Sequence, residues 1–289
     1  MTNEPIKIGF FGTPDYAVTV LDELAKKGHE IAFVVTMPDR PKGRKLTLTP
    51  PPAKVWAEKH GVPIIQPETL KGNLNIAQEL KSYSCDVFVV IAYGNIIPDE
   101  ILHIPPHKSL NIHGSLLPRL RGSSPIETAI LNDEHETGVT IMRMDKEMDH
   151  GPIIASEKVI CDPWPPTAEE LGNKIVMAGA RLLANILPDW IAGKLPETEQ
   201  NHSLATLTKK IKREDGEIDL SADPYKNFLK IQAYHEWPGT FFFVEHSGKK
   251  VRVKVVAASY KNGTLTIEKV IPEGGREMAY TDFLKGVKS

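Results

Sequence analysis

The sequence predicts an α/β protein: a doubly wound domain built on a parallel sheet, followed by a small, mainly β domain. Three observations carry that expectation. Short apolar runs alternate with helical patterns through the first part of the chain, the pattern of a sheet covered by helices. The run "VFVVIA" (87–92) is apolar at every position, as a strand buried on both faces requires. From residue 240 onward the pattern changes to strands separated by glycine-containing turns. A length of 289 residues allows two domains.

The elements follow in order. "IKIGFFG" (6–12) reads as the first strand, bounded by Gly12, Thr13 and Pro14. Asp15 is placed to cap the next helix, whose apolar face is Ala17, Val20, Leu21 and Leu24. "HEIAFVVT" (29–36) is a strand, and the proline-rich segment 37–54, "MPDRPKGRKLTLTPPPAK", reads as irregular. "AKVWAEKHG" (53–61) is a helix ending on the glycine cap Gly61. "VPIIQ" (62–66) and "DVFVVIAYG" (86–94) are strands on either side of the helix "NIAQELKSY" (75–83). "KSLNIH" (108–113) and "GVTIMRM" (138–144) are further strands, the second leading into an irregular loop, "MDKEMDHGP" (144–152). Ser124 and Pro125 form a cap and first-turn pair. A long helix runs from Thr167, its cap, to Ala192, with Glu169 and Glu170 in the first turn.

Residues 193–222 are polar and weakly patterned and read as a linker. A helical stretch at 228–234 and the strands "TFFFVE", "KVRVKVVAAS" and "TLTIEKVI" follow, with Lys261-Asn262-Gly263 as a hairpin turn. The expected division is therefore a first domain at 1–192, a linker at 193–222 and a second domain at 223–289.

Apolar content of 41% and charged content of 25% are enough to bury a core and keep a charged surface. No apolar run is long enough to cross a membrane, and "MTNEPIKIGFFGTP" has an acidic residue and too short an apolar stretch for a secretory signal. Cys85 and Cys161 lack metal-ligand spacing, so neither a disulfide framework nor a metal site is expected, and a cytoplasmic location fits. Net charge is −2, but residues 205–289 carry 15 basic and 11 acidic groups against 20 and 26 in residues 1–204. That asymmetry points to nucleic acid as a partner of the C-terminal part. Lys249, Lys250, Arg252 and Lys254 supply a strip for phosphates or, equally, an exposed strand face.

The candidate chemistry lies in "LNIHGSLLPRLRGSSP" (110–125). Asn111 and His113 stand two apart on one strand and so share a face. Ligands of open α/β sheets sit beyond the carboxyl ends of the strands, which is where this strand ends. With Asp149 from the 144–152 loop they make an amide, an imidazole and a carboxylate. The amide N–H can stabilise a developing oxyanion, the imidazole can move a proton, and the carboxylate can orient the imidazole. No Ser or Cys stands in an elbow motif, so the attacking group belongs to a substrate. Singly, each residue is also an ordinary turn former or interior polar group. Arg121 and Gly122 read as shaping the bend.

"NIHGSLLPRLRGSSPIETAILN", followed by "ETGVTIMRMDKEMDHGPI", resembles the 10-formyltetrahydrofolate-dependent formyltransferases. "IGFFGTPDYAV", "TMPDRPKGR", "VVIAYGNIIP", "SLATLTKKIKREDGEIDLS" and "EWPGTFFF…PEGGREMAYTDFLKG" extend the likeness over nearly the whole chain. The resemblance implies a Rossmann-like formyltransferase domain followed by an OB-like domain, the latter short enough here to be abbreviated or partly open. It implies that Asn111, His113 and Asp149 are the catalytic trio. It implies a 10-formyltetrahydrofolate co-substrate, with no metal, bound by Ser115, Leu116, Leu117, Pro118, Ile91, Tyr93, Gly94, Ile97, Met144 and Glu147. It also implies methionyl initiator tRNA as the acceptor, gripped by the cations Arg40, Lys42, Arg44 and Lys45 and approached by Gly12 and Thr13, in a monomeric protein. A sugar-nucleotide N-formyltransferase on the same core is the alternative. The chain departs from the family at His150, where Thr is usual, and at Leu46 and Thr47, where more lysine is usual.

Overall fold

The computed structural model of the chain describes residues 5–43, 46–246 and 248–287. They form β1 (Lys7–Gly12), α1 (Asp15–Lys26), β2 (Glu30–Val35), β3 (Arg40–Lys42), β4 (Thr47–Thr49), α2 (Pro52–His60), β5 (Ile64–Ile65), α3 (Leu74–Ser82) and β6 (Val87–Ile91). There follow α4 (Asp99–Leu102), β7 (Ser109–His113), α5 (Pro125–Leu131), β8 (Thr137–Arg143), β9 (Ile153–Val159) and α6 (Ala168–Ile191). The chain ends with α7 (Pro224–Ala233), β10 (Phe241–His246), β11 (Lys249–Lys261), β12 (Thr264–Pro272), β13 (Met278–Ala279) and α8 (Tyr280–Val287). Two compact units result. The first comprises the residues up to Arg121, Gly138–Val159 and Asn173–Thr206; the second comprises Gly122–Thr137, Ile160–Gly172 and the residues from Leu207 on.

The first unit holds a seven-stranded sheet of order β5-β2-β1-β6-β7-β8-β9. Its first five strands are parallel, and every residue of β6 is buried, as the continuous apolar run requires. The strand order reverses between β1 and β6, where Gly12 pairs with Ile91. Such a switch point opens a crevice at the carboxyl ends of the strands. Beneath the sheet Phe11, Phe33 and Phe88 interlock at centroid distances of 5.2–6.0 Å. The all-parallel expectation stops at β7, because β8 runs antiparallel to it, with Asn111 opposite Met142 and His113 opposite Thr140. Gly179 of α6 lets helix and sheet approach closely: a Cβ there would lie 2.7 Å from Ile112 Cγ2 and 2.8 Å from Val139 Cγ2.

Local signals decide most element ends. Gly61 closes α2 in the left-handed region, φ 67°, where glycine is unstrained. At the start of α6, Glu170 N donates to Thr167 Oγ1 (3.2 Å) and Thr167 N donates to Glu170 Oε2 (2.8 Å), a complete capping box. Asp15 differs from expectation: Pro14 takes the cap position and Asp15 begins the helix, where its carboxylate faces the positive end of the helix dipole. Ser124 stands at the cap of α5 without a side-chain cap bond. The segment 37–54 is not wholly irregular, since β3 and β4 pair as an antiparallel hairpin.

The second unit carries a four-stranded antiparallel sheet of order β10-β11-β12-β13. It is an open meander: among the described residues the edge strands β10 and β13 do not pair with each other. The expected small β domain is therefore present in abbreviated form. Phe242, Val253, Val255 and Val270 meet Ile218, Ile231 and Phe283 in its core. The helix read at 228–234 starts earlier, because Asp223 accepts from Tyr225 N and Lys226 N and Pro224 opens the first turn. Residues 193–222 are paired chain rather than free chain. Thr198 bridges Ile153 in the first unit, and Glu217 bridges Phe241 in the second.

Candidate active site

β7 delivers two side chains for the reason its sequence gives. Leu110 and Ile112 are buried, and Asn111 and His113 alternate with them. The Asn111 amide makes no hydrogen bond within the described residues, whereas His113 is engaged on both sides of its ring. Nε2 lies 2.9 Å from the carbonyl oxygen of Leu120, and Nδ1 lies 3.5 Å from Oδ1 of Asp149. A carbonyl only accepts, so Nε2 carries a hydrogen; the carboxylate on the other side is matched when Nδ1 carries one too. The His113 and Asp149 side chains are 6% and 13% exposed, which shields the pair from bulk water.

Asp149 arrives by a route that the carboxyl-end rule does not cover. Because β8 is antiparallel to β7, its carboxyl end lies beside Leu110. The following loop is closed by Arg143 N donating to Pro152 O (2.9 Å), and it folds Asp149 back to the His113 ring. The Asp149 backbone has φ 51°, a left-handed conformation that costs a non-glycine residue on the order of 1–3 kcal/mol.

The bend after β7 is held from below by Thr140 of β8, which sequence reasoning missed. Its hydroxyl donates to Ser115 O (2.7 Å) and accepts from Leu117 N (3.1 Å). Ser115 Oγ in turn donates to Arg119 O (2.6 Å). Leu117 N is thus already paired, and the Leu117–Pro118 peptide is cis. Ile91, Tyr93, Ile97 and Leu117 are all buried, and Tyr93 and Ile97 belong to the apolar cluster against which Met144 packs. Burial pushes the Tyr93 hydroxyl up to about 12. Gly94 has φ 93°, and Glu147 is exposed, its N–H donating to Asp145 Oδ1 (2.8 Å).

His150, the departure from the family pattern, is engaged by its own loop and by the following segment. Its Nδ1 is 2.8 Å from Asp145 Oδ2, and its ring stacks on His202 with centroids 4.1 Å apart. Thr13 is committed internally: its hydroxyl donates to Tyr93 O (2.7 Å) and accepts from Met37 N (3.3 Å). At Gly12 a Cβ would lie 2.7 Å from Ala17 Cβ, so packing alone requires glycine. Arg40 pairs with Glu68 at 2.7 Å across an exposed surface, and Lys42 is exposed. Arg44 and Lys45 lie outside the described residues. Arg121, read as a bend former, is buried, and so is Gln200 of the supposed linker. No group of metal-binding side chains occurs among the described residues.

A largely shielded imidazole–carboxylate pair, beside an amide that makes no hydrogen bond among the described residues, suits transfer of an acyl-type carbon between two substrates. The chain belongs to the formyl transferase family, whose model matches residues 6–187. Over 272 residues it is 43% identical to the methionyl-tRNA formyltransferase of Chloroflexus aurantiacus, covering 93% of this chain and 86% of that protein. Among solved structures, methionyl-tRNA formyltransferase from Clostridium thermocellum superposes with a TM-score of 0.62 at 19% identity, over 95% of this chain and 99% of that one. HypX from Aquifex aeolicus in complex with tetrahydrofolic acid gives a TM-score of 0.66 at 16% identity, over 97% of this chain and 47% of that one. These two likenesses concern the fold.

Proposed function

We propose that this chain transfers the formyl group of 10-formyltetrahydrofolate to the α-amine of methionyl initiator tRNA. The observation that carries the reading is the extent of likeness to its methionyl-tRNA relative. That likeness covers 93% of the chain and so runs past the residue 187 limit of the family model into the second unit. The β7 site supplies chemistry to match.

In this reading the amine nitrogen bonds to the formyl carbon as the bond from that carbon to N10 of the folate breaks, and N10 leaves with a proton. The Asn111 N–H meets the negative charge that develops on the formyl oxygen, and it is available because nothing among the described residues occupies it. The His113 ring, fixed by Leu120 O and Asp149, adds positive potential at the same oxygen, and the proton that the amine gives up passes to the departing N10. Holding both substrates in one crevice removes much of the entropic barrier. The folate lies against Ser115, Leu116, Leu117 and Pro118, with Ile91, Tyr93, Gly94, Ile97, Met144 and Glu147 around it. The apolar members flank its flat ring system, and backbone groups read its edge. Arg40, Lys42, Arg44 and Lys45 approach the acceptor end of the tRNA as cations facing phosphates.

The test is formyl transfer to charged initiator tRNA, run beside uncharged tRNA and an amino-sugar nucleotide. Formyl-methionine formed only with the charged tRNA supports the reading. Transfer to the sugar keeps the chemistry and overturns the acceptor.

A further inference from the structure

We propose that Gln200 is a positioning residue for Asp149, oriented by Arg121. The inference rests on the reading above, in which Asp149 acts on His113.

Gln200 and Arg121 are 5% and 6% exposed. The Gln200 carboxamide has one acceptor oxygen and two donor hydrogens, and all are used. Its oxygen accepts from Arg121 Nε (3.1 Å) and from an Arg121 terminal nitrogen (2.6 Å). Its nitrogen donates to Asp149 O (3.0 Å) and Gly151 O (2.7 Å). Chemistry fixes this orientation: a guanidinium only donates and a carbonyl only accepts, so the flipped amide would face like against like on both sides. A charged donor on the oxygen polarises the amide and strengthens its N–H groups toward the loop.

The loop needs such a hold. Asp149 sits at φ 51°, and the bond from Gln200 lands on the peptide that sets the direction of its carboxylate. The same segment is fastened on either side. Thr198 and Ile153 exchange backbone bonds of 2.8 and 2.9 Å, and Glu197 meets Arg143 Nε at 2.7 Å. A side chain at position 151 would strike the Arg143 carbonyl, so the loop floor is also fixed. The catalytic carboxylate is thereby aimed from residues beyond the 6–187 match.

The experiment is a double-mutant cycle in the full chain. Q200E keeps the acceptor for Arg121 and loses both donors; Q200L loses all three groups. Each should lower kcat by on the order of tenfold to a hundredfold, with KM for both substrates changed by less than about twofold and the circular dichroism of the folded protein retained. D149N should be nearly inactive, and adding Q200L to it should change its residual rate by no more than about twofold, since the glutamine acts through the aspartate. Losses that multiply in the double variant, or Q200E and Q200L at the full rate beside an inactive D149N, overturn the inference alone. D149N at the full rate overturns the role of Asp149 and this inference with it. If Q200L does not fold, Q200E with D149N completes the same cycle.

Discussion

The carbonyl oxygen of Leu120 stands 2.9 Å from Nε2 of His113. The bend that follows β7 therefore returns to the imidazole seven residues later and fixes it from the side opposite Asp149. Leu120 makes this return with φ 56°, another left-handed non-glycine residue beside the candidate site. Its own N–H is tied to Thr206 Oγ1 at 2.8 Å.

Because the ring is clamped twice, its loss and the loss of the neighbouring amide should separate in kind. Asn111→Ala should lower kcat by about 10²–10³-fold with KM for folate and tRNA little changed, as removal of one oxyanion donor does. His113→Ala should lower it by about 10²–10⁴-fold. Steady-state kinetics of both variants check this, and a large rise in KM with kcat preserved would assign Asn111 to ground-state binding instead.

The cations Arg40 and Arg44 should matter to tRNA and not to folding. The Arg40–Glu68 pair is exposed, 60% and 71% at the side chains, and such pairs add little stability. Arg40→Ala should leave the thermal midpoint unchanged, raise KM for the charged tRNA and reduce the salt dependence of binding by about one unit of slope. Arg44→Ala should act alike, with folate affinity intact. Titrations across a salt series decide it.

Gly12→Ala should be a packing lesion. The new methyl would lie 2.7 Å from Ala17 Cβ, 2.7 Å from Phe10 Cε1 and 3.0 Å from Ile91 O, all in the buried floor of β1. A cost of about 1–3 kcal/mol is expected in urea unfolding. Unchanged stability with weakened tRNA use would instead tie the glycine at this position to approach of the acceptor.

Glu127 on α5 gives a pH-dependent expectation. Burial raises its carboxyl above the ordinary value of 4.5. With the folded value above the unfolded one, the folded state holds the proton longer. Stability is full below 4.5 and falls as pH rises through the folded value. Glu127→Gln should therefore raise the thermal midpoint at pH 7, and the gain should disappear below about pH 4.5. Melting curves at both pH values test the sign.

Legibility tracked the distance over which a signal acts. Asn111 and His113 could be paired from sequence because a strand repeats every two residues, and the capping box at Thr167 and Glu170 because a helix start is local. The antiparallel turn at β8 was invisible: nothing in "GVTIMRM" encodes strand direction. The β3–β4 hairpin was hidden by Pro41, which breaks the alternation that marks strands. The Arg121–Gln200 contact joins positions 79 apart, one of them in a segment whose polarity reads as solvent exposure. Asp149 could be named from its loop as a candidate carboxylate, but the fold-back that brings it to His113 carries no local mark, and only the family resemblance implied that the three act as a trio.

Gly179 gives the site an unequal pair of jaws. Bare helix backbone rests on Ile112, the residue between Asn111 and His113, and Ile112 faces away from both. A close-packed contact of this kind leaves no slack behind the strand. The amide and the imidazole are the fixed jaw. The opposing jaw, the 144–152 loop, has no such packed backing and is held instead by the hydrogen bonds that Gln200 donates to Asp149 O and Gly151 O, so close packing sets one side of the site and directional polar contacts set the other.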